Sequence, residues 1–217
     1  MGQPFLAVRH PSYGRQNRKL AIYKTSLTMT FYRRSLPHWH PEGASIFLTW
    51  RLYGSLPASI RTAKNRCATK DSPAKQFKLL DSALDKCTTG PLWLKDPRIA
   101  TFIVETIRRG ESVLCYFALH AFVVMPNHVH MLITPKISIP RITNGIKGTT
   151  SHQANSILSR EGQHFWQDES FDHWVRSPKE FDKIRAYIEN NPVSAGLATT
   201  PQHWPWSSCS KLAAQPL

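Results

Sequence analysis

Two short stretches of this chain combine residue types and spacing that could do chemistry. The first is Asn127-His128-Val129-His130-Met131-Leu132, set in an apolar, β-prone run. Side chains alternate faces along a strand, so His128 and His130 project from one side, about 6 to 7 Å apart, while Val129 points to the other. Two imidazoles on one face can chelate a single metal ion; the alternative is a pair of hydrogen-bonded histidines with no ligand. His38-Trp39-His40 has the same spacing but lies between Pro37 and Pro41, outside any apolar strand, and reads as a loop. The second stretch is Tyr187-Ile188-Glu189-Asn190-Asn191-Pro192. Tyr187 and Asn191 are four residues apart and share a helix face distinct from the one centred on Ile184 and Ile188. A phenol nucleophile and a carbonyl ligand would thus be presented together; the alternative is a partly buried tyrosine with an asparagine at a helix end.

The elements that must position these groups can be read from periodicity. Ile46 to Leu52 has strand composition, and Gly54-Ser55-Leu56-Pro57 closes it with turn residues. Residues 58–86 are basic, with apolar Phe77, Leu80 and Leu84 at helical spacing before the break at Thr88-Thr89-Gly90-Pro91. Asp96-Pro97 predicts an N-cap with proline at the first helical position, followed by the stripe Ile99, Phe102, Ile103, Ile107 and a stop at Gly110. Val113 to Val124 and His128 to Thr134 predict two adjacent strands around the Met125-Pro126-Asn127 turn. A helix is expected over 139–160, a short aromatic strand within 165–175, and a last helix opened by Ser177-Pro178 and ended by Asn190-Asn191-Pro192 and Gly196. Strands alternating with helices, and adjacent strands paired antiparallel, indicate an α+β sandwich.

The chain of 217 residues has room for one well-buried core plus extensions. The expected division is a basic, largely irregular extension over 1–40, a catalytic domain over 41–200 and a tail over 201–217. Met29, at the compositional break, is a candidate translational start. The net charge of +14 favours a polyanionic partner such as nucleic acid. That excess is an N-terminal feature: residues 1–80 carry 14 Lys/Arg against only Glu42 and Asp71, and residues 81–217 carry 14 basic against 12 acidic groups. The cysteines at 67, 87, 115 and 209 lack C-x-x-C spacing, which points to a reducing compartment. With no apolar run of membrane-spanning length and no secretory-type N-terminus, a cytoplasmic protein is expected, nucleoid-associated when on DNA.

Several short motifs in one order carry a resemblance. Tyr53-Gly54-Ser55-Leu56-Pro57, Gly90-Pro91-Leu92-Trp93-Leu94, Val124-Met125-Pro126-Asn127-His128-Val129-His130, Phe165-Trp166-Gln167, Trp174-Val175-Arg176, Tyr187 to Val193 and Trp204-Pro205-Trp206-Ser207-Ser208 resemble successive motifs of the REP-associated tyrosine transposases, from about residue 31 to 210. The resemblance implies a ferredoxin-like or RRM-like sandwich, with an antiparallel sheet of four to five strands and helices mainly on one face. It also implies that His128 and His130 are the metal-binding pair of an HUH enzyme, that Tyr187 is the single nucleophile, and that Asn191 is the third polar ligand.

The activity so implied is metal-dependent cleavage and transfer of single-stranded DNA at hairpins, through a 5′-phosphotyrosine with a free 3′-hydroxyl, by a monomer or homodimer. Imidazole ligands suit Mn²⁺ and cellular abundance favours Mg²⁺, with zinc the chief alternative. Single strands expose bases that aromatic side chains can stack on, which nominates Trp166, Phe171 and Trp174 for DNA contact, with Arg33, Arg34, Arg51, Lys147 and Arg176 for phosphates. Trp204 and Trp206 read instead as anchors of the tail. Two other classes compete: a catalytically idle hairpin-binding regulator of the same fold, and a His-x-His nucleotidyl hydrolase, whose motif would require a histidine where Leu132 stands.

Overall fold

The computed structural model describes residues 30–33, 37–40, 43–57 and 73–210. Expectations about Met29, Arg34 and Cys67 lie outside the described residues. Thr30–Arg33 (β1) and Pro37–His40 (β2) pair antiparallel in a two-stranded sheet of their own. The stretch expected as a loop around His38 and His40 is therefore a strand. Pro37 opens it, a position where a missing N–H is tolerated.

The main sheet contains Ile46–Arg51 (β3), Phe117–Val124 (β4), His128–Pro135 (β5) and Phe171–Trp174 (β6) in the order β4-β5-β3-β6, with every neighbouring pair antiparallel. Among the described residues, four helices accompany it: Pro73–Asp85 (α1), Pro97–Ser112 (α2), Ile139–Ile157 (α3) and Pro178–Ser194 (α4). The path β3-α2-β4-β5-α3-β6, with its first and third strands central, is the ferredoxin-like arrangement expected from the sequence.

The pleat divides the core. Leu48, Trp50, Val129 and Met131 face α2 and α3, meeting Ile99, Ile103, Ile107, Ile142 and Ile146. Phe47, Ala121, Val123 and Leu132 point the other way, toward Ile188 of α4 and Phe77 of α1. The two crossover helices share one face, while α1 and α4 form a second layer on the other, where the sequence led us to expect helices mainly on one face. His128 and His130 belong by parity to the side of Leu132 and so lie beneath that second layer.

Local chemistry explains most element boundaries. Asp96 accepts a hydrogen bond from the Arg98 amide at 3.0 Å and starts α2 with Pro97. Ser177 accepts from the Glu180 amide at 3.2 Å and starts α4 with Pro178. Two expected stops are helical instead. Gly110 lies inside α2, where a Cβ would come within 2.8 Å of the Phe117 ring, so the glycine is there for close packing. Pro192 lies within α4. It forfeits one donor, and its own carbonyl is taken by the amides of Leu197 and Ala198, so the helix runs to Ser194.

The loops that bear the short sequence motifs are packed together. A Cβ on Gly90, whose φ is +78°, would lie 2.3 Å from the Gly54 carbonyl oxygen, which ties the Gly54 turn to the Gly90 turn. Backbone bonds from Leu52 N to Asn127 O (2.8 Å) and from Leu94 N to Pro126 O (3.2 Å) strap the turn before the histidines. At the far edge, Trp206 O accepts from Val124 N, and Ser208 N donates to Phe122 O. The first residues of the expected tail therefore extend the sheet beside β4.

Candidate metal centre and nucleophile

β3 places Thr49 opposite His130 and Arg51 opposite His128. Both imidazoles are fully buried. Asn127 fixes the tautomer of the first. Its Nδ2 donates to the Leu84 carbonyl at 3.0 Å, which leaves its Oδ1 to accept from His128 Nδ1 at 2.7 Å. A neutral His128 then has a bare lone pair on Nε2. Burial, and then the neighbouring His130, hold the His128 imidazole well below its ordinary pKa, so it is neutral, the form a metal requires. His130 Nδ1 meets Thr49 Oγ1 at 2.7 Å, and the two Nε2 atoms face each other at 3.0 Å.

The last two turns of α1 close this edge. Asp81 Oδ1 lies 3.3 Å from His130 Nε2, and Asp85 Oδ1 lies 3.6 Å from His128 Nε2. The ligand atoms of Asp81, His128 and His130 all fall within 4.8 Å of one another. Asp81 Oδ1, Asp85 Oδ1 and Asn191 Oδ1 are buried without a hydrogen-bond partner. Orphaned acceptors around imidazole lone pairs are costly unless a cation relieves them. The donor set of imidazole nitrogens and carboxylate oxygens therefore fits a divalent first-row ion. The same crowding acts on Asp85: burial, then the charge of Asp81, push its carboxyl up to about 6 against the opposing pull of His130 and a hydrogen bond with Asn191.

α4 brings the phenol. Ile188, fully buried in the second core layer, fixes the helix, and Tyr187 beside it remains 36% exposed. Its ring centroid is 5.6 Å from that of His130 and 6.2 Å from that of Phe47, which itself stacks on His130 at 5.5 Å. Asn191, buried one turn later, donates from Nδ2 to the Tyr187 hydroxyl at 3.3 Å.

The structure thus brings His128, His130, Tyr187 and Asn191 together. The residues nominated for DNA contact divide. Trp166 is buried, donates to Thr150 Oγ1 at 2.9 Å and meets Trp50 edge to face, so it is a core residue rather than a stacking platform. Lys147 donates to the carbonyls of Gln167 (2.6 Å) and Asp168 (2.8 Å), which pins the 167–168 segment to α3. It also lines a cleft of about 470 Å³ with Asn144, Ser151, Gln163, His164 and Asp168, and none of the cleft residues belongs to the histidine centre. Phe171 stacks on Phe77 with centroids 4.3 Å apart, close to Phe47. Trp174 is half-buried beneath the exposed Arg176, 5.9 Å from its ring. Arg51 reaches the Leu52 carbonyl and Ser55 Oγ, both at 3.4 Å, and Arg33 ends β1.

Sequence reasoning missed Asp81 and Asp85. The available signal was their i, i+4 spacing on one helix face, in a stretch from 58 to 86 whose only other acidic residue is Asp71. It also missed Asn127 as the group that orients His128 and holds the end of α1.

Comparison with known proteins agrees with the motif-based resemblance. Residues 97–191 match the family described as "Transposase IS200 like", a segment that runs from the start of α2 to Asn191. No curated protein sequence matches the chain. Among solved structures, a REP-associated tyrosine transposase bound to a REP hairpin is 19% identical, with a TM-score of 0.49 over 83% of this chain and 82% of that one. A protein of Deinococcus radiodurans R1 solved as a candidate transposase is 18% identical, with a TM-score of 0.37 over 68% of this chain and 89% of that one.

Proposed function

Residues 97–191 match the IS200-like transposases, and from this premise we propose that the protein is a metal-dependent endonuclease and strand transferase for single-stranded DNA with hairpins, working through a 5′-phosphotyrosine on Tyr187. The observation that supports this reading is the convergence of a phenol, a buried His-x-His pair and an amide: the Tyr187 ring 5.6 Å from His130, with Asn191 hydrogen-bonded to the hydroxyl.

In the first step, a bond forms between the Tyr187 oxygen and phosphorus, the bond from phosphorus to the 3′-oxygen breaks, the phenol proton departs and the 3′-oxygen is protonated. The phenol must ionise as it attacks, although its ordinary pKa is near 10. The Asn191 N–H aids this, because a hydrogen bond donated to the oxygen favours its charged form. Packing of Phe47 against the Tyr187 and His130 rings limits where the phenol can go. His128, His130, Asp81 and Asn191 would hold the cation, which when bound neutralises charge building on the scissile phosphate. His128 is kept as a lone-pair donor by Asn127, and His130 is steadied by Thr49. Rejoining needs no nucleotide cofactor, because the phosphotyrosine conserves the energy of the broken bond. Single-stranded hairpin DNA is the proposed partner. Phosphate affinity comes from the basic N-terminal stretch and from Arg51 and Arg176, and Phe171 and Trp174 remain the aromatic contacts.

The test is incubation with labelled hairpin DNA and Mn²⁺ or Mg²⁺, followed by denaturing electrophoresis. A covalent adduct should form with the native protein and vanish in Tyr187→Phe. Binding without any adduct in either ion would instead identify a hairpin-binding regulator, and an undiminished adduct in Tyr187→Phe would move the nucleophile elsewhere.

A further inference from the structure

We propose that the cleft between α3 and the 163–168 segment is a second DNA site, one that takes a single unpaired nucleobase carrying an exocyclic amino group, adenine or cytosine. The proposal rests on the reading of the chain as an enzyme of single-stranded DNA, and it adds a choice of base that the histidine centre does not supply.

The cleft has the build of a slot for a flat heterocycle. Its volume of about 470 Å³ falls in the range of small-molecule pockets, and its lining includes the buried, apolar Phe165 and Trp166. The rest of the lining is polar. Asn144 and Gln163 contribute exposed side-chain amides, each with donors and an acceptor, and Asp168 contributes an exposed carboxylate. His164 also lines the cleft, and its ring is backed by that of Tyr53, with centroids 5.2 Å apart and planes at 27°. Tyr53 is 51% exposed, so the pair offers aromatic surface of the kind on which single-stranded bases stack.

This chemistry selects the ligand. A carboxylate repels phosphate, so Asp168 argues against a site for the DNA backbone. Amide side chains read adenine through its amino group and a ring nitrogen, and a carboxylate accepts from the cytosine amino group. Thymine has no amino group to offer.

The slot is held open before any ligand arrives. Lys147 donates to the Gln167 and Asp168 carbonyls at 2.6 and 2.8 Å, which fixes the 163–168 segment against α3. Gly148 lines the cleft, and a Cβ there would meet nothing within 4 Å, so a longer side chain would enter open space. The same segment joins the cleft to the end of the sheet that carries His128. Tyr53 N donates to Phe165 O and Gln167 N to Arg51 O, both at 2.9 Å, and Arg51 stands opposite His128 in the β3–β5 pairing. A base held in the cleft is therefore held beside the strand end that faces the histidines, which assigns it to the DNA strand rather than to a free nucleotide.

The experiment uses the full chain in chelator with short fluorescent strands of deoxyadenosine, deoxycytidine or thymidine, read by anisotropy. Native protein should bind the adenine and cytosine strands about tenfold more tightly than the thymine strand. Gly148→Gln should erase that difference, with a melting temperature at or above the native one because glutamine is the better helix former. Gly145→Gln makes the same change at an exposed position outside the cleft, where a Cβ likewise meets nothing, and should keep the difference. Asp168→Asn should weaken binding of the cytosine strand and leave that of the thymine strand unchanged. Equal affinity for the three strands, or native discrimination in Gly148→Gln, would overturn the proposal. Displacement of the cytosine strand by an equal concentration of deoxycytidine monophosphate would overturn the assignment to DNA. The Tyr187 adduct is a separate measurement: discrimination without an adduct would count against the nuclease reading and leave the cleft standing, and an adduct without discrimination would do the reverse.

Discussion

At the scale of the residue, environment rather than identity separates the groups that face solvent or the buried histidine pair from those that hold the fold. Trp166 and Trp174 look equivalent in the sequence, yet only Trp174 keeps part of its ring open, while Trp166 is packed between Trp50, Phe165 and Thr150. Trp166→Ala should therefore cost about 3 to 5 kcal/mol in chemical denaturation, the magnitude of a core aromatic deletion. A loss below about 1 kcal/mol would return the ring to the surface. Asp85 gives a prediction of defined sign. Its carboxyl sits at about 6 in the folded protein against 3.8 ordinarily. Between those values the metal-free native state holds more protons than the unfolded chain, so its stability should fall as pH rises from about 4 to 6. Asp85→Asn should flatten that slope when denaturant midpoints are measured in chelator across the same range.

At the scale of the element, the turns flanking the sheet work as a clamp on the start of β5. The Gly54 and Gly90 turns touch backbone to backbone, and the neighbouring Leu52 and Leu94 amides hold the Pro126-Asn127 carbonyls. Gly90→Ala combines a left-handed φ with a contact of 2.3 Å to a carbonyl oxygen that cannot swing aside. The expected loss is at least about 2 kcal/mol in the unfolding free energy. Because these turns frame Asn127, the same substitution should also weaken Mn²⁺ binding in a calorimetric titration. A variant that melted and bound Mn²⁺ like the native chain would show that the clamp is not needed. α4 has a different logic. Its serine cap and buried Ile188 set the helix, and the rotation that buries Ile188 and Asn191 leaves the adjacent Tyr187 36% exposed.

At the scale of the whole molecule, the centre joins parts far apart in the chain: α1, β3, β5 and α4 contribute Asp81, Thr49, the histidines and Tyr187. A ligand that binds the native state but not the unfolded one stabilises by mass action, about 2.7 kcal/mol at a free concentration one hundred times its dissociation constant. Mn²⁺ at that excess should raise the melting temperature of chelator-treated protein by several degrees. An unchanged melting curve would show that no ion is held where these elements meet.

The sequence by itself determined what local periodicity encodes. Alternation along β5 put His128 and His130 on one face, the four-residue interval put Tyr187 beside Asn191, and the caps at Asp96 and Ser177 started two helices. These follow from backbone geometry that any neighbouring residues share. Even there, Gly110 and Pro192 were read as stops because their reasons to sit inside helices, the Phe117 ring and the bonds to the Pro192 carbonyl, come from residues beyond the window. The tertiary structure alone decided which faces meet. It laid α1 over the histidines, bringing Asp81 and Asp85 to residues more than forty positions away, drew Trp166 into the core and tied Lys147 to the Gln167 and Asp168 carbonyls. No spacing rule spans such separations, because contact between distant segments is set by how whole layers pack.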